Sequence, residues 1–146
     1  MKNTTSNTTN SIQEAYRYLS NAKETIAKSP IEYGRYSDPK YVIEAAGIAY
    51  ISALKAINVY LLSRGIKDSD LPNSIEEYRI AVRKKMPHNG KLMAALNNVY
   101  ENLHIFAYYR GGTEIQMVKS GFENCKKIIS MIETSLGNSS SSSIVN

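Results

Sequence analysis

Tryptophan is absent from this chain, cysteine and histidine are scarce at one and two residues, and proline occurs four times. A single cysteine excludes an internal disulfide framework, and with only two histidines beside it no familiar zinc site can be assembled. No run approaches the ~18 consecutive apolar residues that a membrane span requires. Met1, Lys2, Asn3, Thr4 and Thr5 have no apolar segment behind them. That start predicts no secretory signal, a cytoplasmic location and no membrane partner. Neither a Walker pattern nor a dinucleotide-binding glycine pattern is present. The strict apolar–polar alternation of a half-buried strand is missing too.

What remains is a chain of 146 residues, 42% hydrophobic and 21% charged. At this length one domain hides roughly 68–70% of the surface its unfolded chain exposes, enough for a core without staples. The net charge of +5 has a definite location. Between Tyr78 and Tyr100 the ionised residues are Arg79, Arg83, Lys84, Lys85 and Lys91, with no acid among them, and the remaining 13 basic residues equal the 13 acidic ones. A concentrated positive region attracts RNA, other anionic ligands or acidic proteins. The alternative is a solvated helix end, where Lys and Arg favour the negative pole of the dipole.

Residues 1–10 and 137–146 carry almost nothing to bury and read as disordered tails. Between them, residues 11–136 read as one domain of helices. Ser11 and Glu14 have capping-box spacing, and Ile12, Ala15, Leu19, Ala22 and Ile26 form an apolar seam, which predicts a first helix over residues 11–28. Pro30 and Gly34 mark a loop. Asp38 and Pro39 restart a helix that continues to Arg64 and stops at Gly65. Its Ala45, Ala46, Gly47, Ala49, Ala53 and Ala56 let neighbouring backbones approach, as befits a central helix. Ser74 and Glu77 open a short third helix ending near Met86 and Pro87. Leu92, Leu96, Val99, Leu103 and Phe106 mark a fourth, ended by Gly111 and Gly112. Thr113 and Gln116 then form a third capping box before a last seam of Ile115, Val118, Phe122, Cys125, Ile129 and Ile132. The expected fold is all-α, an up-down bundle of four long helices and one short one.

Few residues invite chemistry. Arg110, Gly111, Gly112 and Thr113 precede a helix start, where free amides bind anions; helix termination and capping explain the same residues. Arg83 and His88 place a permanent cation near an imidazole. In metal-free RNA cleavage, an imidazole can move the proton of the 2′-hydroxyl and an arginine can steady the charge on phosphorus. Pro87 breaks the helix between them. His104 borders the fourth seam and suits a structural hydrogen bond, while Tyr108, Tyr109 and Arg110 offer stacking faces for bases. Eleven tyrosines suit positions half in and half out of water, at bundle edges, oligomer contacts or grooves. Cys125 reads as a buried, unreactive seam residue. Glu101 and His104 have the spacing of half a di-metal site, but no other helix carries the second half. No cofactor or metal is implied.

The helix order, with the alanine-rich stretch at residues 46–57, resembles the HEPN superfamily (higher eukaryotes and prokaryotes nucleotide-binding). Residues 100–112 resemble more specifically a small bacterial family of unknown function with an HEPN-like bundle. Many HEPN proteins are metal-independent ribonucleases that act as dimers and carry Arg, four to six residues, then His. The resemblance implies those roles for Arg83 and His88. Lys84 stands where that motif usually has another polar residue, and Pro87 interrupts it. The first expectation is therefore a non-catalytic helical module that forms homodimers or binds a protein partner. The alternatives are a toxin-like ribonuclease and a nucleic-acid binder using the 79–91 region with Tyr108 and Tyr109.

Overall fold

The computed structural model describes residues 11–86 and 89–145, the last eight as backbone alone. The expected N-terminal tail, residues 1–10, lies outside the described residues. Five α-helices dominate, named here α1 (Ile12–Ile26), α2 (Pro39–Ser63), α3 (Ile75–Lys85), α4 (Gly90–Val99) and α5 (Ile115–Val145). A π-helical segment, Tyr100–Tyr109, continues directly from α4.

Local chemistry explains most helix starts. The Ser11 hydroxyl accepts from the Glu14 amide at 3.1 Å, and the Ser74 hydroxyl accepts from the Glu77 amide at 3.2 Å. Each satisfies an amide that has no partner within the helix. Asp38 accepts from the Lys40 amide with Pro39 in the first turn. At the other end of α3, the buried Tyr60 of α2 donates its hydroxyl to the Lys85 carbonyl at 3.1 Å.

α2 is the central helix. α1, α5 and the π-helical segment all pack on it, α4 packs on α5, and α3 rests mainly on α4. Ala45, Ala46, Ala49, Ala53 and Ala56 are completely buried, as are Ile57 and Val42. By length and composition α2 could cross a membrane, but half of its most apolar stretch is buried against the other helices, as in the middle of a core. Of the last seam, Val118, Phe122, Cys125, Ile129 and Ile132 are buried, Ile115 is partly buried against the core, and Ile128 joins them.

The structure departs from the sequence reading at four places. The loop after α1 contains a small antiparallel hairpin, β1 (Ile31–Glu32) paired with β2 (Arg35–Tyr36). Its two-residue turn places both Tyr33 (φ 53°) and Gly34 (φ 74°) in the left-handed region. That is the twist a tight hairpin needs, although asparagine is the usual first residue. The fourth helix does not stay α-helical to its end: the Arg110 amide donates to the Ile105 carbonyl at 3.0 Å, a π-type bond. Thr113 does not cap the last helix; its carbonyl accepts from the Tyr36 amide, and the first bond of α5 runs from Val118 to the Glu114 carbonyl. Finally, α5 continues to Val145 through the serine-rich stretch assigned to a tail. Extending an existing helix costs far less than nucleating one, so an unbroken helix can run into residues that would not start it.

The π-helical segment is closely packed. A Cβ on Gly121 of α5 would lie 2.4 Å from Leu103, and one on Gly47 of α2 would lie 3.2 Å from the Tyr108 ring. Two glycines thus let this segment settle against both long helices. Gly121→Ala should lower stability by about 1–2 kcal/mol, because overpacking outweighs the gain in helix propensity; denaturant unfolding checks this. At the hairpin tip the Tyr33 ring is fully exposed. Tyr33→Asn should therefore raise stability by about 1 kcal/mol by relieving a left-handed residue that carries a Cβ, read as a higher unfolding midpoint with an unchanged slope.

Candidate functional site

Tyr100, His104 and Tyr108 recur every fourth residue along the π-helical segment and share one face. Their rings form a column: His104 lies 5.4 Å from Tyr100 and 5.8 Å from Tyr108, nearly parallel to each. Tyr50 of α2 closes the column from the side, 4.7 Å from His104 and 6.3 Å from Tyr100. These are the offset arrangements that aromatic quadrupoles prefer. Arg79 of α3 lies over Tyr100, its guanidinium 5.3 Å from the ring centre. It is held there by donating to Asn97 at 2.9 Å and by an ion pair with Glu76.

A groove of about 440 Å³ runs beside the column, lined by Tyr50, Leu54, Tyr78, Tyr100 and His104 and by residues 72–75 at the start of α3. Burial pushes the Tyr50 phenol up to about 12, with the neighbouring Tyr100 phenol adding to the effect. Burial also raises Tyr78, opposed by its 2.8 Å hydrogen bond to Asn58. Both hydroxyls therefore stay neutral donors throughout the physiological range. Among the described residues no group of three or more His, Cys, Asp and Glu could hold a metal ion. The arrangement presents ring faces, phenol hydroxyls and one clamped cation. Such a surface suits recognition.

The sequence-selected residues are dispersed by the fold. Arg83 is exposed in the last turn of α3, and its intended partner His88 lies outside the described residues. Lys84 and Lys85 border a different, smaller groove that also contains Asp70 and Glu77. Lys91 is exposed in the first turn of α4. The basic run is divided between two helices, Arg79, Arg83, Lys84 and Lys85 on α3 and Lys91 on α4. Only Arg79 reaches the aromatic column. Tyr108 is half exposed, and Tyr109 and Arg110 are exposed beyond it. His104 makes stacking contacts in place of the expected hydrogen bond. In the Arg110–Thr113 loop the amides of Arg110 and Gly112 donate inward, to Ile105 and Phe106, which accounts for them without an anion. Cys125 is buried, donates to the Ala49 carbonyl at 3.1 Å, and is pushed far up by desolvation. It is the inert residue expected.

Tyr50 and Tyr100 escaped the sequence reading. The four-residue spacing of Tyr100, His104 and Tyr108 was the available signal; nothing local ties Tyr50 to it.

Residues 10–134 match a family described as a domain of unknown function, DUF5618. The chain belongs to this family. The matched span includes all four aromatic residues of the column and every helix start. Among solved structures, the DUF5618 chain is similar to a protein of unknown function from Dyadobacter fermentans. The two are 31% identical, with a TM-score of 0.73, over 84% of this chain and 94% of that one. No curated protein matches.

The raised phenols of this DUF5618 domain make its stability sensitive to alkali. A group whose folded pKa exceeds its unfolded value contributes stability that is complete below the unfolded pKa and lost as pH rises through the folded one. Stability should accordingly fall between about pH 10 and 12. Tyr50→Phe should remove about 1 kcal/mol of that fall, discounted for a partly exposed ring. Denaturant unfolding at pH 8 and pH 11.5 measures the difference.

Proposed function

We propose that this DUF5618 domain is a non-catalytic, HEPN-like helical interaction module that associates with a protein partner, a second copy of itself first, through the aromatic column. The observation that carries this reading is the ring stack of Tyr50, Tyr100, His104 and Tyr108 beside an open groove. The exposed edge continues along the segment: Tyr108 is 46% exposed and Tyr109 78%. Tyrosine is enriched at the centres of protein interfaces because it covers much area with few rotors and keeps a polar tip. The order of helices and the alanine-rich α2 support the HEPN-like assignment.

The reading is tested by sedimentation equilibrium on the full chain across the micromolar range. The expected result is a reversible dimer, weakened at least about 30-fold by Tyr108→Ala, as a central interface tyrosine worth about 2 kcal/mol requires. Lys127→Ala, on the exposed face of α5, should leave the dimer unchanged. Strict monomers at every concentration would reject self-association. Two other outcomes would replace this reading. RNA cleavage in EDTA that disappears in His88→Ala would establish a ribonuclease, with Arg83 steadying the phosphorus. RNA affinity that falls steeply with salt, without cleavage, would establish a nucleic-acid binder.

A further inference from the structure

α1 packs closely on α2 but meets α5 more lightly. Between its last turns and the first half of α5 a cavity of about 350 Å³ opens. Its floor is apolar: Ile26 from α1, Val118 and Phe122 from α5, and Tyr36 from the hairpin, the last three of them buried. Its rim carries Lys23 from α1 and Lys119 and Lys126 from α5, against a single acid, Glu123. Among the described residues none of these three ammonium groups makes an ion pair, a hydrogen bond or a ring contact. Seven residues of helix separate Lys119 from Lys126, roughly 10 Å along the axis. Cations therefore stand on both walls of a greasy trough and along its length.

We propose that this cavity is a binding site for a medium-chain carboxylate, a single-chain amphiphile whose tail lies on Phe122 and Val118 and whose head is held by the lysine rim. Charge complementarity selects the head: three ammonium point charges against one carboxylate favour a small anion. Volume selects the tail. The cavity lies at the small end of ligand sites. Taking a heavy atom to need about the ~30 Å³ that a water occupies in the liquid, the cavity of about 350 Å³ holds roughly twelve heavy atoms, a ten-carbon acid with its carboxylate. One short chain fits, and a two-chain lipid does not. The site shares no residue with the aromatic groove, so it stands or falls separately from the proposed docking face.

Isothermal titration calorimetry of the full chain with hexanoate, octanoate, decanoate and dodecanoate, each below its micellar concentration, tests the proposal. Affinity should rise about fourfold for each added methylene, the ~0.8 kcal/mol of burying one, and level off near ten carbons. Methyl octanoate, which lacks the charge, should bind about tenfold more weakly than octanoate, as loss of a charged hydrogen bond requires. The Lys119→Gln/Lys126→Gln double variant should lose about tenfold for octanoate and nothing for the ester. Lys127→Gln should be silent. Absence of binding, or affinity independent of chain length, would overturn the proposal. So would a gain that continues undiminished to dodecanoate, the mark of adsorption on an open surface. An ester that binds as well as the acid would remove the role of the lysine rim. Binding to phosphatidylglycerol vesicles without binding to soluble carboxylates would make this a membrane-facing surface, and would overturn the proposal equally.

Discussion

Ala45, Ala46, Ala49, Ala53 and Ala56 make α2 a narrow rod, and the positions of its neighbours follow from how near they can come to it. None of these side chains removes much apolar area from water. Their contribution lies in what they omit: with only a methyl group on each, the backbones of α1, α5 and the π-helical segment come close, and dispersion contacts accumulate along long lengths of helix. A larger residue at any of them would force the surrounding side chains off their rotamers. The bulk that fills the core comes instead from the partners, from Leu19 on α1, Leu96 and Leu103 on the fourth rod, and Ile128, Ile129 and Ile132 on α5.

The same closeness shapes the aromatic face. Where the fourth rod passes between Gly47 and Gly121 its winding widens, and the residues of that wider turn, Tyr100, His104 and Tyr108, are the ones whose rings stack. π-helical turns are rare and concentrate where function needs an unusual side-chain geometry. Here a packing constraint on one side of the segment and a column of rings on the other belong to one structural event. Arg79 and Asn97 then join α3 to the rod beside the open groove.

What was legible in the sequence was local. The capping residues Ser11, Asp38 and Ser74 act within four positions, and the seams of α1 and α5 repeat within each turn. Their readings needed no knowledge of the rest of the chain. The hairpin was hidden because Tyr33 occupies a left-handed turn position where asparagine would have announced it. Thr113 looked like a cap because its hydroxyl could serve as one, yet its carbonyl is taken by Tyr36, a residue far away in sequence. The room into which Leu103 and Tyr108 of the π-helical segment pack is left by two glycines belonging to other helices. The column is the extreme case: half of its geometry is a regular spacing visible at residues 100, 104 and 108, and the other half is Tyr50, brought beside it only by packing. The basic run is the opposite case. Its residues are neighbours in sequence, and the fold divides them between α3 and α4, with Arg79 the one that reaches the column.

Cys125 sits at the middle of this packing, with its sulfur against the backbone of α2 and no exposed surface. The chain's one thiol is therefore hidden wherever the helices stay together, and thiol reagents have no other target in the sequence. Its rate of alkylation is a built-in clock for the opening of the whole assembly, readable in dilute solution or in a crowded extract without adding any probe to the protein.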